Sequence, residues 1–245
     1  VSFNDFTKKK LILDFNNESS TNPITNNVAL LKKEQKKIRF GGKVFINNDL
    51  IVNQETEILE GTTFFMGKGA SIVFENKVKA IGSDKKPIIF KSFESNSNWG
   101  TVAIHGPKTY GSKFKNIIIE DASGKSINGV NYFAALAIHS ASNIKFDNIL
   151  VKNNAKFDDM MHIIYSDNIQ ILNSKFLNAH KDSIDVDISN NILFKNTTIS
   201  HSGNDGLDLM ESKVELQEAF NTAIAKLKTV WILPTEEEIL LKKLG

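Results

Sequence analysis

Residues 144–153, IKFDNILVKN, return at 169–178 as IQILNSKFLN and again at 192–201 as ILFKNTTISH. The three decades share one pattern: a hydrophobic residue, a spacer, Phe or Ile, a spacer, Asn, two spacers and another hydrophobic residue. The intervals are 25 and 23 residues. Apolar positions alternate within each copy, as a half-buried strand requires, and an Asn interrupts them before alternation resumes. A weaker earlier copy carries Phe114, Asn116, Ile119 and Asp121, 32 residues before the next. That longer interval implies a loop insertion near Gly124 to Asn131.

No helical run of 10 to 15 residues interrupts Val44 to Met210, so a helical solenoid is excluded. Short strands, Asn and Gly corners and a period near 23 residues describe one turn of a right-handed parallel β-helix. A single turn cannot bury its inward face. Stacked at roughly 4.8 Å, turns supply one another with core and hydrogen bonds. The reading is an all-β solenoid of about seven coils over 44–212. Asn116, Asn148, Asn173 and Asn196 then form a buried ladder at one corner, because Asn tolerates left-handed backbone and saturates local donors.

The segment from Glu57 to Ser92, followed by Trp99-Gly100, supplies further motifs: Gly61-Thr62, Ala80-Ile81-Gly82 and Pro87-Ile88-Ile89-Phe90. These resemble the opening coils of the bacterial right-handed parallel β-helix, or pectin-lyase-like, proteins, and the resemblance covers roughly 44 to 212. It implies the fold, and by association an extracellular or cell-surface location and a polysaccharide partner. Gly203 to Gly206 resembles the Asn-x-Asp-Gly element of polygalacturonases, but their later Asp-Asp, Gly-His-Gly and Arg-Ile-Lys elements are missing. The catalytic Arg usual in pectate lyases is also unmatched, since the sole Arg, Arg39, precedes the recognisable coils.

Outside 44–212 the pattern changes. Ser212-x-x-Glu215 reads as a helix-capping box, followed by Leu216, Phe220, Ile224, Leu227 and Trp231 on one apolar face. Pro234 breaks that helix, and a second begins at Thr235-x-x-Glu238. An α-helical cap over 213–245 would cover the open end of the coils, or dock a protein partner. Val214 and Leu216 also suit a continuation of the last strand. Residues 1–43 read as an extension and cap, with Val28 to Lys37 as a short amphipathic element.

Thirty basic and 28 acidic residues leave a net charge of +2, which gives no electrostatic case for nucleic acid. There is no cysteine, so disulfides and thiolate metal sites are excluded. No apolar run of about 18 residues is present, and no membrane span is expected.

The chemistry-bearing residues fall in register. At the 23-residue offset Asp159, Asp182 and Asp205 stack, as do His162, Asp185 and Asp208. Ile184, Val186, Ile188, Leu207 and Leu209 are expected to point inward, leaving Asp185, Asp187 and Asp208 outward. Carboxylates on adjacent rungs repel by about 1 kcal/mol in water and about 3.5 kcal/mol at an effective dielectric near 20. A groove would therefore hold one protonated, or a cation would bridge them. No cofactor is required. Calcium is the cation that Asp182, Asp185, Asp205 and Asp208 suit.

The first functional reading is a non-catalytic carbohydrate-binding or surface-structural protein. The alternative is a polysaccharide lyase or glycoside hydrolase acting on an acidic glycan, with Lys181, Asp182, Asp205 and His162 as catalytic candidates. A third is an interaction module docking through the C-terminal helices. His105, His139 and His180 show no metal-ligand spacing, and His201 takes the corner position of Asn153 and Asn178. Tyr110, Tyr132 and Tyr165 are the candidate sugar-stacking aromatics.

Overall fold

The computed structural model describes residues 37–94, 97–154 and 159–217. The chain winds with three strands per turn. The first face stacks Ile38–Phe40, Thr56–Ile58, Val78–Ile81, the front of Lys113–Glu120, the front of Ser142–Lys152, Asp167–Leu172, Asn190–Lys195 and Val214–Gln217. The second stacks Lys43–Ile46, Thr63–Met66, Ile88–Ser92, the backs of the same two long strands, Lys175–Ala179 and Thr198–Ser202. These two faces form one bent 13-stranded sheet. The third face is a separate 7-stranded sheet: Leu50–Val52, Ile72–Phe74, Val102–His105, Ala134–His139, Asp159–Ile164, Asp182–Asp187 and Leu207–Met210. Among the described residues, seven strands on the third face mean seven coils, and Val214–Gln217 begins an eighth. All pairings within the coils are parallel.

The alternation seen in the repeats becomes the core. Ile144, Phe146, Ile169, Ile171, Ile192 and Phe194 are buried in register on the first face. Identical ring types stack coil on coil: Phe64 on Phe90 with centroids 4.4 Å apart, Phe114 on Phe146 at 4.9 Å. Burying each such side chain stabilises by about 1.5–3 kcal/mol before strain and entropy are counted. Not every Phe turns inward. Phe45, Phe65 and Phe93 cluster on the outside of the second face, with Phe45 stacked on Phe65 at 5.1 Å.

The corners explain the Asn residues. Asn116, Asn148, Asn173 and Asn196 all have left-handed backbone, with φ between 48° and 53°, where Asn is tolerated better than most residues. Asn196 Nδ2 donates to Asn173 Oδ1 (2.9 Å) and Asn148 Nδ2 to Asn116 Oδ1 (2.6 Å), while Asn173 Nδ2 donates to Asp147 Oδ1 (2.8 Å). The corner ladder thus forms in two pieces, with Asp147 taking the place of Asn148 beneath Asn173; only Asn116 is buried, and the other three asparagines stand at the solvent edge. Asn153, Asn178 and His201 hold a second left-handed corner, as the position of His201 in the repeat required. A Cβ on Gly100 would collide with Ser71 Oγ, which accounts for the glycine after the buried Trp99.

The insertion is a β-hairpin. Lys125–Ile127 pairs antiparallel with Val130–Tyr132 around Asn128-Gly129, both at positive φ, the signature of a two-residue turn. Ile127, Val130 and Tyr132 pack on Val73, Ala103 and Ala137, covering the outside of the third face over its middle coils. Lys125 Nζ pairs with Asp49 Oδ2 at 2.8 Å and ties the hairpin to the first coil.

Two boundaries lie outside 44–212. Ile38–Phe40 already pairs with Thr56–Ile58, and Val214–Gln217 pairs with Asn190–Lys195. Ser212 caps no helix: its Oγ donates to Val186 O and Met210 O and accepts from Ser189 N–H. It is the third member of a corner series, since Ser166 N–H donates to Ser189 Oγ in the same way. The coil repeat therefore overrides the local capping signal. The helices expected beyond residue 217 and the Val28 element before residue 37 lie outside the described residues. Among the described residues only the 3₁₀ turn Pro107–Thr109 is helical, and no helix is long and apolar enough to cross a membrane.

Candidate functional site

Outward positions of the third face form two columns. One runs Ile51, Val73, Ala103, Ala137, His162, Asp185, Asp208; the next runs His105, His139, Ile164, Asp187, Met210. The first column is apolar beneath the hairpin and becomes titratable where the hairpin ends. Strand periodicity places Asp185 and Asp187 on the same side, two residues apart. Parallel stacking places His162 over Asp185 and Asp185 over Asp208, as the 23-residue offset required.

His162 does not bond the residue beneath it. Its Nε2 lies 3.3 Å from Asp187 Oδ2, diagonally across the rung. His162, Asp185 and Asp187 bring one nitrogen and two carboxylate oxygens within 4.8 Å of one another. Burial, then the charge of Asp187, pushes the Asp185 carboxyl up from 3.8 to about 7; Asp208 and Asp182 add to the rise, and His162 opposes it. Burial also raises Asp208, partly offset by the Leu209 N–H, with Asp182, Asp205 and Asp187 reinforcing the rise.

The four acids grouped for calcium divide into two places. Asp182 sits three residues before Asp185, an odd separation that takes it off the outward columns. Its Oδ1 instead accepts the Asp205 N–H at 2.7 Å, so Asp182 holds the start of the next strand. Asp205 Oδ2 accepts from Asn204 Nδ2 at 3.3 Å, and its Oδ1 is buried without a hydrogen-bond partner. Lys181 is exposed at the corner before Asp182–Asp187, where its carbonyl accepts the Asn204 N–H. Of the catalytic candidates, His162 alone joins the outward cluster. Ile188, expected inward, is 40% exposed with φ 43°, because the strand ends at Asp187 and the chain turns there.

Three residues that the sequence reading set aside or gave another role also belong to this face. His105 and His139 are register partners, a relation hidden by the hairpin insertion, which lengthens their separation to 34 residues. Tyr132 is buried, not a stacking platform, and its hydroxyl lies 2.7 Å from His105 Nδ1. Burial, with the charge of Glu75, holds its phenol up to about 12. His139 is 7% exposed, its ring packed on Tyr132 and His162 with centroids 4.9 and 5.2 Å away. Burial first, then His162 and His105, push it down to about 3, which leaves it neutral. Tyr165 and Tyr110 are each 60% exposed; Tyr165 follows Ile164 at the corner where Ile188 follows Asp187. Arg39 is committed on the first face, its Nε and Nη2 both 2.9 Å from Glu57 Oε2.

No protein-family model and no curated protein matches the chain. Among solved structures it is similar to full-length tailspike protein 2 from Escherichia coli O157:H7 bacteriophage CAB120, at 11% identity and a TM-score of 0.47. That likeness covers 74% of this chain and 30% of the tailspike, so the chain spans under a third of its length. The enzymatically active domain of bacteriophage CBA120 tailspike protein 2 gives 10% identity and a TM-score of 0.32, covering 76% of this chain and 38% of that one. QnrB1, a plasmid-mediated fluoroquinolone resistance protein, gives 12% and 0.17, covering 73% and 91%. Strand order and register, not these likenesses, make the chain a parallel β-helix; a right-handed crossover is the general rule for such parallel connections.

Proposed function

We propose that the part of the third face beyond the hairpin binds a glycan chain and that Asp185 delivers a proton to a glycosidic oxygen there. The observation that carries this reading is the pair Asp185 and Asp208, in register on adjacent rungs of an outward face. Asp185, held up to about 7, retains a proton near neutral pH, as a general acid requires. Asp208 supplies the second carboxyl. A rung spacing of roughly 4.8 Å is close to the roughly 5–5.5 Å between carboxyls in retaining glycosidases. On this reading Asp208 attacks the anomeric carbon as Asp185 protonates the departing oxygen; water, deprotonated by Asp185, then releases the sugar. Asp185, Asp187 and Asp208 make the face acidic, so a neutral glycan suits it better than the polyanion the sequence suggested. Such a ligand agrees with an extracellular or cell-surface location.

A second reading, binding without cleavage, draws on Tyr165 and Ile188, 60% and 40% exposed beside Asp187. They offer an apolar edge for a sugar ring and need no chemistry. Docking through C-terminal helices concerns residues outside the described ones.

One experiment separates the readings: neutral and acidic polysaccharides are screened by calorimetry for binding and by reducing-end assay for cleavage. Hydrolysis is expected in the wild type and a loss of at least about a hundredfold in Asp185→Asn, with binding retained. Saturable binding with no new reducing ends in the wild type leaves the binding reading alone. No binding to any glycan sinks both.

A further inference from the structure

The donor atoms of His162, Asp185 and Asp187 converge within 4.8 Å from two adjacent coils. Strand backbone on both coils fixes where these side chains start, so the grouping does not depend on a mobile loop. The set is mixed: one imidazole nitrogen and two carboxylate oxygens. Calcium takes six to eight oxygen ligands, whereas zinc and its first-row neighbours accept imidazole with carboxylate. Three protein ligands on an outward face leave coordination positions for water.

A second observation is independent of the acids. His139 is 7% exposed and its Nε2 is buried with no hydrogen-bond partner, while its ring meets that of His162 at 81° with centroids 5.2 Å apart. A buried polar atom without a partner costs about 1–3 kcal/mol. The ring that carries it packs against that of His162, the one histidine of the cluster, where a hydrated ion would bring water.

We propose that His162, Asp185 and Asp187 form a binding site for a borderline divalent transition metal, zinc above all, with His139 as its buried neighbour. The site stands whether or not the face handles a glycan. It shares Asp185 with the proton donor, so an ion bound there suppresses hydrolysis.

The test uses the full chain, stripped with a chelator and desalted, and titrated calorimetrically with Zn²⁺, Mn²⁺ and Ca²⁺ in the absence of glycan. One Zn²⁺ per chain is expected, with Ca²⁺ far weaker. His162→Ala and the near-isosteric Asp187→Asn each weaken Zn²⁺ by roughly tenfold or more. His201→Ala, which alters an exposed histidine elsewhere, leaves it unchanged. Absorption of the Co²⁺-loaded wild type provides a readout that needs no variant. An intense four- or five-coordinate visible spectrum supports the site; a spectrum unchanged from that of free aqueous Co²⁺ overturns it. Absence of saturable Zn²⁺ binding overturns the proposal. So does wild-type affinity in both His162→Ala and Asp187→Asn, or preferential Ca²⁺ binding that Asp205→Asn abolishes and Asp187→Asn does not. Because no sugar is present, failure here leaves the glycan reading untouched.

Discussion

The two halves of the third face share one sheet and one register, yet they differ in what their outward column carries. Val73, Ala103 and Ala137 lie under Ile127, Val130 and Tyr132, fully sealed from water. One coil further on, the same column holds His162, then Asp185, then Asp208. Small apolar residues let the hairpin approach closely, and titratable ones appear in the column beyond the residues it covers. The hairpin is therefore a wall. It ends at Tyr132, whose contacts with His105 and His139 mark where the apolar column gives way to titratable residues.

Three changes break or sharpen that contrast. Ala137→Asp places under the hairpin the residue type found two coils later. It buries a charge with no partner and is expected to destabilise by about 3–5 kcal/mol, read by urea unfolding. An effect below about 1 kcal/mol would mean that the hairpin lifts off readily and that the halves are alike. Asp185→Asn makes the opposite exchange, removing charge from the open half. Because the folded carboxyl sits near 7 and the unfolded one near 3.8, its contribution to stability is fully present below about 3.8 and is lost as pH rises to 7. The variant is thus expected to be more stable than the wild type by about 1–2 kcal/mol at pH 8, after screening by water on the open face, and nearly equal at pH 4. Equal stability at both pH values would remove the case for a protonated acid. Tyr132→Phe, at the junction, deletes the hydroxyl contact with His105 and leaves the ring. A loss of about 1 kcal/mol is expected by the same unfolding measurement, and no loss would show the junction to be held by packing alone.

His139 acts in the reverse sense to Asp185. Its folded value of about 3 lies below its ordinary 6.5, so its contribution is present above 6.5 and is lost as pH falls toward 3. Between about 3.8 and 6.5 the two groups act in opposite directions, so their pH dependences largely offset each other there.

Much of this was legible from spacing. The 23- and 25-residue intervals located coils, inward Phe and Ile positions, corner Asn residues and the stacking of His162, Asp185 and Asp208. Asn128-Gly129 between Ile127 and Val130 carried the hairpin signal, although the reading went no further than an insertion. Ser212 shows how a local motif misleads: as Ser-x-x-Glu it resembles a helix cap, while the offset from Ser189 makes it a coil corner, and the coil prevails because its hydrogen bonds come from the neighbouring turn.

The sequence by itself determined the solenoid and its register, since a repeat that alternates apolar residues and breaks at Asn has one economical way to bury its inward face. Only the tertiary structure decided which outward residues meet. Asp182 turns to a backbone N–H while Asp187 joins His162, and His139 lies buried against His162. Those pairings depend on where a strand ends and on what a hairpin covers, and both are set by contacts between residues far apart along the chain.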